Sequence, residues 1–210
     1  MAATGAPEGT VIQGGTSSEG TLRFSAILRP KPCPEVGLLA LLATFCESEG
    51  IRKDTGIITW IRWPSEVVTE NRVVATTSFA TGGPAGVRWA ILNFLVNRRR
   101  HGRDGSTSLE DQLGVLVDPE MLVTKTIDSL TWMYSGWVKG MYPQVLARIT
   151  SMLESPGKRV FVKRRGRPVP GVARGVDERG RLIVELSGTE ASARVEDRSC
   201  LLSSEDIVYQ

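Results

Sequence analysis

Residues 56–78, GIITWIRWPSEVVTENRVVATTS, decide how the rest of the chain is read. Two apolar, β-branched runs, 57–61 and 73–77, flank a polar middle that contains Pro64, Ser65, Glu66, Glu70 and Asn71. That pattern predicts a strand, a turn and a return strand. Side chains alternate across a strand, so Trp60 and Arg62 are expected on one face and Ile61 and Trp63 on the other. An arginine at a strand end, beside an indole and a proline turn, suits an anion or a flat ring. The plainer alternative is an ordinary hairpin with a core tryptophan and a solvated arginine.

Upstream, residues 10–12 read as a short strand and 13–20, QGGTSSEG, as turn. Residues 21–29 alternate as a strand with Leu22, Phe24, Ala26 and Leu28 on one face, and residues 35–49 read as a helix stopped by Gly50. Downstream, Gly82-Gly83-Pro84 is a turn, and residues 87–96 are a continuous apolar run, expected to be a strand buried on both faces. A polar loop covers 97–108. Asp118-Pro119-Glu120 opens a helix with an apolar stripe at 123, 127, 130, 134 and 137 that stops near Gly140. A second helix at 143–153 should pair with it antiparallel against the sheet. After Ser155-Pro156-Gly157, short alternating runs at 159–162, 171–175, 181–186 and 191–195 predict a small barrel that leans on the first unit. The fold class is therefore α+β: a mixed sheet packed with helices over residues 1–155, and a small SH3-like β-barrel over 156–210.

Of 210 residues, 41% are hydrophobic and 23% charged, a globular composition. The net charge of +3 is too small to announce a nucleic-acid partner by itself. No apolar run approaches the roughly 20 residues that cross a bilayer, and the first residues lack the charged start of a signal segment. Cys33, Cys46 and Cys200 are odd in number and have no CxxC spacing, so they are expected to be reduced thiols, with Cys46 in the core of the first helix. His101 sits in an Arg-rich loop and is expected to have no catalytic role. A cytoplasmic protein with no zinc site, no metal-ligating residues of its own and no membrane contact is the expectation.

The order of parts resembles the catalytic and C-terminal domains of biotin protein ligases, the biotin–[acetyl-CoA-carboxylase] ligases, which share their family with lipoate ligases. Residues 20–30, GTLRFSAILRP, resemble the family's GGLYFSLLLRP; residues 61–67, IRWPSEV, resemble IKWPNDV; and residues 71–75, NRVVA, resemble KKIAG. Thr107-Ser108-Leu109 is similar to the family's TSL. Residues 157–160 and 171–184, GKRV and GVARGVDERGRLIV, are similar to its tail, GKRV…GIAxGIDxxGxLLV. The resemblance implies ATP-dependent activation of biotin to biotinyl-5′-AMP, with Mg2+ accompanying ATP, and transfer to a lysine of a biotin carboxyl carrier protein. It also implies a homodimer. By position, Arg72 and Arg62 become the catalytic cations, and Trp63, Ser65, Glu66 and Asn97 the substrate- and nucleotide-binding residues.

The departures bear on activity. The family's basic loop, of the type GRGRxGR, has no counterpart in residues 13–19, which contain no arginine. The motif's lysine has become Arg62, its asparagine Ser65, its aspartate Glu66, and the lysine of KIAG Arg72. GIGxNVN is replaced by Ile91–Asn97, ILNFLVN, with bulk where glycines stood. Joining a carboxylate to AMP brings two anions together, so fixed cations and exclusion of water are required. A forked guanidinium is not equivalent to a compact ammonium in a tight site, and one lost electrostatic donor costs about 2.7–4 kcal/mol. Three readings follow: a weakened ligase, a non-catalytic ligase-fold protein serving binding or assembly, and a polyanion binder. The last rests on Arg98-Arg99-Arg100 with Arg103, and on residues 158–167, where six of ten are basic. The residue types do not choose between the first two.

Overall fold

The computed structural model describes residues 5–16, 20–31, 37–82, 88–99, 105–164, 167–186, 192–194 and 207–209. Its centre is a six-stranded sheet made of β1 (Val11–Thr16), β2 (Thr21–Leu28), β3 (Trp60–Arg62), β4 (Glu66–Thr69), β5 (Arg72–Gly82) and β6 (Trp89–Asn97). The spatial order is β1-β2-β6-β5-β4-β3, and every ladder is antiparallel. Two isolated parallel bridges, Ile61 with Leu153 and Val73 with Ser106, lie at its margin outside the named strands.

Register sorts the sheet's two faces. Ile61, Val67, Ala75, Val96 and Leu22 lie opposite one another across five strands, and each is fully buried. The next row on that face carries Thr77, Phe94 and Phe24, with the two phenyl rings stacked at 4.7 Å. Helix α1 (Leu38–Thr55) covers this face; its Thr44 hydroxyl meets that of Thr77 at 2.6 Å. On the opposite face the corresponding row is Arg62, Glu66, Thr76, Leu95 and Arg23.

After β6 come α2 (Leu109–Leu113), α3 (Pro119–Val138) and α4 (Tyr142–Thr150). Ser108 and Asp118 cap the first two: their side-chain oxygens accept the Asp111 and Glu120 amides at 3.0 and 2.9 Å. The C-terminal part is a five-stranded antiparallel sheet, as the small barrel requires. It is formed by β7 (Arg159–Arg164), β8 (Arg167–Val176), β9 (Leu182–Leu186), β10 (Ser192–Arg194) and β11 (Ile207–Tyr209), in the order β10-β9-β8-β7-β11. Val160, Ala173, Leu182 and Val184 of this sheet join the same apolar cluster as the main sheet, so the small unit does lean on the first.

Several expectations change on contact with the structure. Residues 56–78 form a three-strand meander, not one hairpin. The polar middle holds β4, because two turn signals, Trp63-Pro64-Ser65 and Glu70-Asn71, lie only four residues apart. β1 extends to Thr16 through a register irregularity, so part of the expected turn is strand. α1 runs through Gly50 to Thr55. The glycine is there because α3 crosses closely, and a Cβ at Gly50 would run into Thr126. β6 is fully buried on one face only; Ile91, Asn93 and Leu95 on the other are half-buried. The buried stripe of α3 is Leu122, Thr126, Ser129, Leu130, Met133 and Trp137, rotated from the expected one because α3 packs mainly on α1 and not on the sheet. Gly82 belongs to β5, while Gly83 and Pro84 fall outside the described residues, as do Cys33, Cys200, His101, Arg100 and Arg103. Cys46 is a buried free thiol, as expected, and burial raises its pKa well above the ordinary value.

Candidate functional site

The six residues singled out by resemblance do not converge on one free pocket. Arg62 and Glu66 face each other across β3 and β4, with Arg62 Nη1 3.6 Å from Glu66 Oε2. The same guanidinium donates from Nε to Glu154 Oε2 at 3.0 Å, and from Nη2 to the side-chain and backbone oxygens of Asn71 at 2.7 and 3.3 Å. Lys158 Nζ reaches the other oxygen of Glu154 at 3.2 Å. Two cations and two carboxylates thus form one partly buried cluster whose formal charges cancel. Burial raises the pKa of Glu66 above its ordinary value, and the adjoining Arg62 pulls it partly back.

Arg72 opens β5 and is exposed, with Nη2 3.3 Å from Glu70 Oε2. It is linked to Arg62 through Asn71, its chain neighbour, in a turn where Glu70 and Asn71 both adopt positive φ. Ser65 is half-buried and its carbonyl accepts the Thr77 amide at 2.8 Å. Trp63 is buried, follows Ile61 in facing away from Arg62, and donates its indole Nε1 to the Gly180 carbonyl at 2.9 Å. The peptide between Trp63 and Pro64 is cis. Asn97 is buried too; its amide nitrogen donates to the carbonyls of Thr107 and Val73 at 3.2 and 3.4 Å, tying the end of β6 to the segment beside β5. The face alternation read from WIRW is correct, and it sorts Arg62 toward the polar face and Trp63 toward the core.

The face of the sheet away from α1 carries polar groups that motif matching missed. Ser25, Asn93 and Ser78 lie side by side on β2, β6 and β5. Ser25 Oγ donates to Asn93 Oδ1 at 2.8 Å, and Asn93 Nδ2 donates to Ser78 Oγ at 3.3 Å. The signal was the period-two alternation: Arg23 and Ser25 are the polar positions of TLRFSAIL, and Asn93 breaks an apolar run. Leu92, Phe94 and Ala75 do not fill this face, because parity sends all three to the helix side. Asn93 occupies the position of the second glycine in the resembling GIGxNVN motif and is tied on both sides.

The expected basic clusters are partly structural. Arg98 is buried and donates Nη1 to the Val117 carbonyl at 3.0 Å, and Lys158 belongs to the Arg62 cluster. No group of three metal-capable side chains occurs among the described residues. Among them, too, no helix is long and apolar enough to cross a membrane.

Comparison with known proteins agrees with this architecture. Residues 157–191 match the family model described as "Biotin protein ligase C terminal domain". The apo biotin protein ligase from Aquifex aeolicus superposes with a TM-score of 0.80 at 18% identity, over 100% of this chain and 92% of that one. The same enzyme in complex with biotin and ATP gives 0.78 at 17% identity, over 98% and 90%. A biotin protein ligase-like protein of unknown function from Silicibacter sp. gives 0.75 at 15%, over 91% and 84%. No curated protein matches the chain by sequence. The class defined by fold and comparison is the biotin protein ligase architecture, an α+β sheet unit followed by a C-terminal domain. The chain is biotin protein ligase-like in fold, and over residues 157–191 in sequence.

Proposed function

We propose that the chain uses the biotin ligase scaffold, in two units over residues 1–155 and 156–210, chiefly for binding and assembly. On this reading it does not form acyl-adenylate at an enzyme's rate. The observation that carries the proposal is the engagement of Arg62: its guanidinium is taken up by Glu154, Glu66 and Asn71, and its charge is balanced within the cluster. A cation stabilises charge developing between a carboxylate and an α-phosphate through donors aimed at that charge, and the donors of Arg62 are directed at acceptors of the protein itself. Two further facts point the same way. Residues 13–19 bring no arginine, and Asn93 stands where the resembling motif has glycine.

Arg72 keeps an exposed guanidinium beside the polar face and is the residue for an anionic ligand to meet. Biotin and ATP with Mg2+ are the first ligands to try, since a solved relative is described in complex with biotin and ATP. A biotin carboxyl carrier protein and a second copy of the chain are the first macromolecular partners. Thermal melting tests this directly: a ligand that binds only the folded state at about 100 times its Kd stabilises by about 2.7 kcal/mol. The reading expects stabilisation by an acid or nucleotide that is lost in Arg72→Ala. If biotin, lipoate and ATP–Mg2+ all leave the melting curve unchanged, the ligand part of the proposal fails.

The second reading is a weakened ligase that forms biotinyl-5′-AMP with Arg72, exposed and paired among the described residues with Glu70 alone, as its working cation. It is favoured by the exposure of Arg72 and by the persistence of the whole fold.

A further inference from the structure

A concave surface lies away from the sheet face, where α3 turns into α4. It encloses about 240 Å³ between the two helices. Met133 and Val145, both buried, lie at its base, while Trp132 and Met141 are exposed walls at 58% and 44%. Gly136 also lines it. A Cβ there would meet only the Val145 side chain at 3.7 Å, an ordinary contact, so helix packing does not demand this glycine. Glycine weakens a helix interior relative to alanine, and here it keeps a notch open.

The rim is cationic. Lys139 and Arg148 line the groove, no carboxylate does, and among the described residues neither cation sits in an ion pair. The Arg148 guanidinium lies 4.5 Å from the centre of the Trp132 ring, which orients its charge over the groove wall. The volume falls below the roughly 300–1,000 Å³ of pockets that enclose a small molecule. One or two apolar side chains of a peptide fit such a notch, as in helix-in-groove recognition.

We propose that this groove docks an acidic amphipathic peptide segment of a partner protein, its apolar side chain seated on Met133, Gly136 and Val145 and its flanking carboxylates paired with Lys139 and Arg148. The surface is independent of Arg62 and Arg72, so its failure and that of the sheet-face reading are separable. An anionic membrane surface offers similar chemistry, but a flat surface has nothing to place in a concave notch.

The test is selection of random peptides of roughly 12 residues, about three helical turns, against the full chain. Selected peptides are then measured by fluorescence anisotropy against wild type and the double variant Lys139→Gln/Arg148→Gln. Both substitutions are at exposed positions, and circular dichroism checks the fold. The expected result is enrichment of sequences with acidic residues flanking an apolar anchor, bound roughly tenfold more weakly by the double variant, as for loss of an interface hot spot, and weakened by salt. Absence of enrichment overturns the proposal. So does enrichment of peptides without acidic residues, or equal affinity for the double variant. Binding to phosphatidylserine vesicles in the absence of any acidic peptide ligand would assign the surface to membranes instead.

Discussion

The indole nitrogen of Trp63 donates to the carbonyl oxygen of Gly180 at 2.9 Å, across 117 positions of sequence. This bond joins the tryptophan-proline turn of the main sheet to the turn between β8 and β9, so the two most specific stretches of the resemblance meet in space. Gly180 has φ +79, and a side chain there would crowd the backbone of Gly37 and Leu38 at the start of α1. The tail is therefore seated on both the sheet and the first helix.

Trp63→Phe keeps most of the buried ring and deletes the donor, leaving the Gly180 carbonyl unpaired. A loss of about 1–2 kcal/mol is expected by urea denaturation. Trp63→Ala should cost about 3–5 kcal/mol through the added cavity. A Trp63→Phe protein as stable as wild type would show that the bond contributes nothing.

Asp177 organises the same turn. Its Oδ1 accepts the amides of Arg179 and Arg181 at 3.0 and 2.9 Å, and its Oδ2 accepts Arg181 Nε at 2.8 Å. Burial alone would raise its pKa, but these donors outweigh burial and hold it below the ordinary value of 3.8. The native carboxylate is thus favoured, so its contribution is present above pH 3.8 and is lost as pH falls through the native pKa. Asp177→Asn should cost about 1–3 kcal/mol at neutral pH and reduce the acid sensitivity seen in pH-dependent denaturation.

Glu47 behaves oppositely. It lies wholly buried on α1, and neither carboxylate oxygen has a hydrogen-bond partner among the described residues. Burial raises its pKa well above the ordinary 4.5, with the nearby Leu95 backbone acting weakly the other way. The native state therefore holds the proton longer than the unfolded chain does. Its contribution to stability is most favourable below pH 4.5 and declines as pH rises toward the native pKa. Glu47→Met should stabilise by about 1–3 kcal/mol at neutral pH and flatten that decline. A destabilised Glu47→Met protein would mean the carboxyl has a partner after all.

The commitment of Arg62 is measurable as a coupling energy. A double-mutant cycle of Arg62→Met with Glu154→Gln should show about 1–2 kcal/mol of coupling in stability. Each single substitution leaves a partly buried charge unbalanced. Coupling near zero would mean that Arg62 is held loosely and is available to a ligand.

Much of the architecture was legible because period-two alternation survives in TLRFSAIL and WIRW, and because Asp118-Pro119 and the tail's closely spaced turns are explicit local signals. β4 was not legible, since a four-residue strand between two turns looks like one polar loop. The run of α1 through Gly50 was hidden because the reason for that glycine is a crossing helix 76 positions away at Thr126. Site residues were harder still. Motif position placed Arg62 at the right strand end, but its partner Glu154 lies 92 residues on and belongs to no motif. The C-terminal strand β11 is three residues long and takes its register from β7, a long-range pairing with no local mark.

The most direct test of the central claim is biotin-dependent exchange of labelled pyrophosphate into ATP by the purified chain, with lipoate and octanoate as control acids. The account predicts no exchange above background with any of the three, because Arg62 is neutralised within its own cluster. Exchange with biotin that is abolished by Arg72→Ala would contradict it and establish a working ligase. Exchange with the control acids alone would also contradict it, and would place the chemistry on the lipoate side.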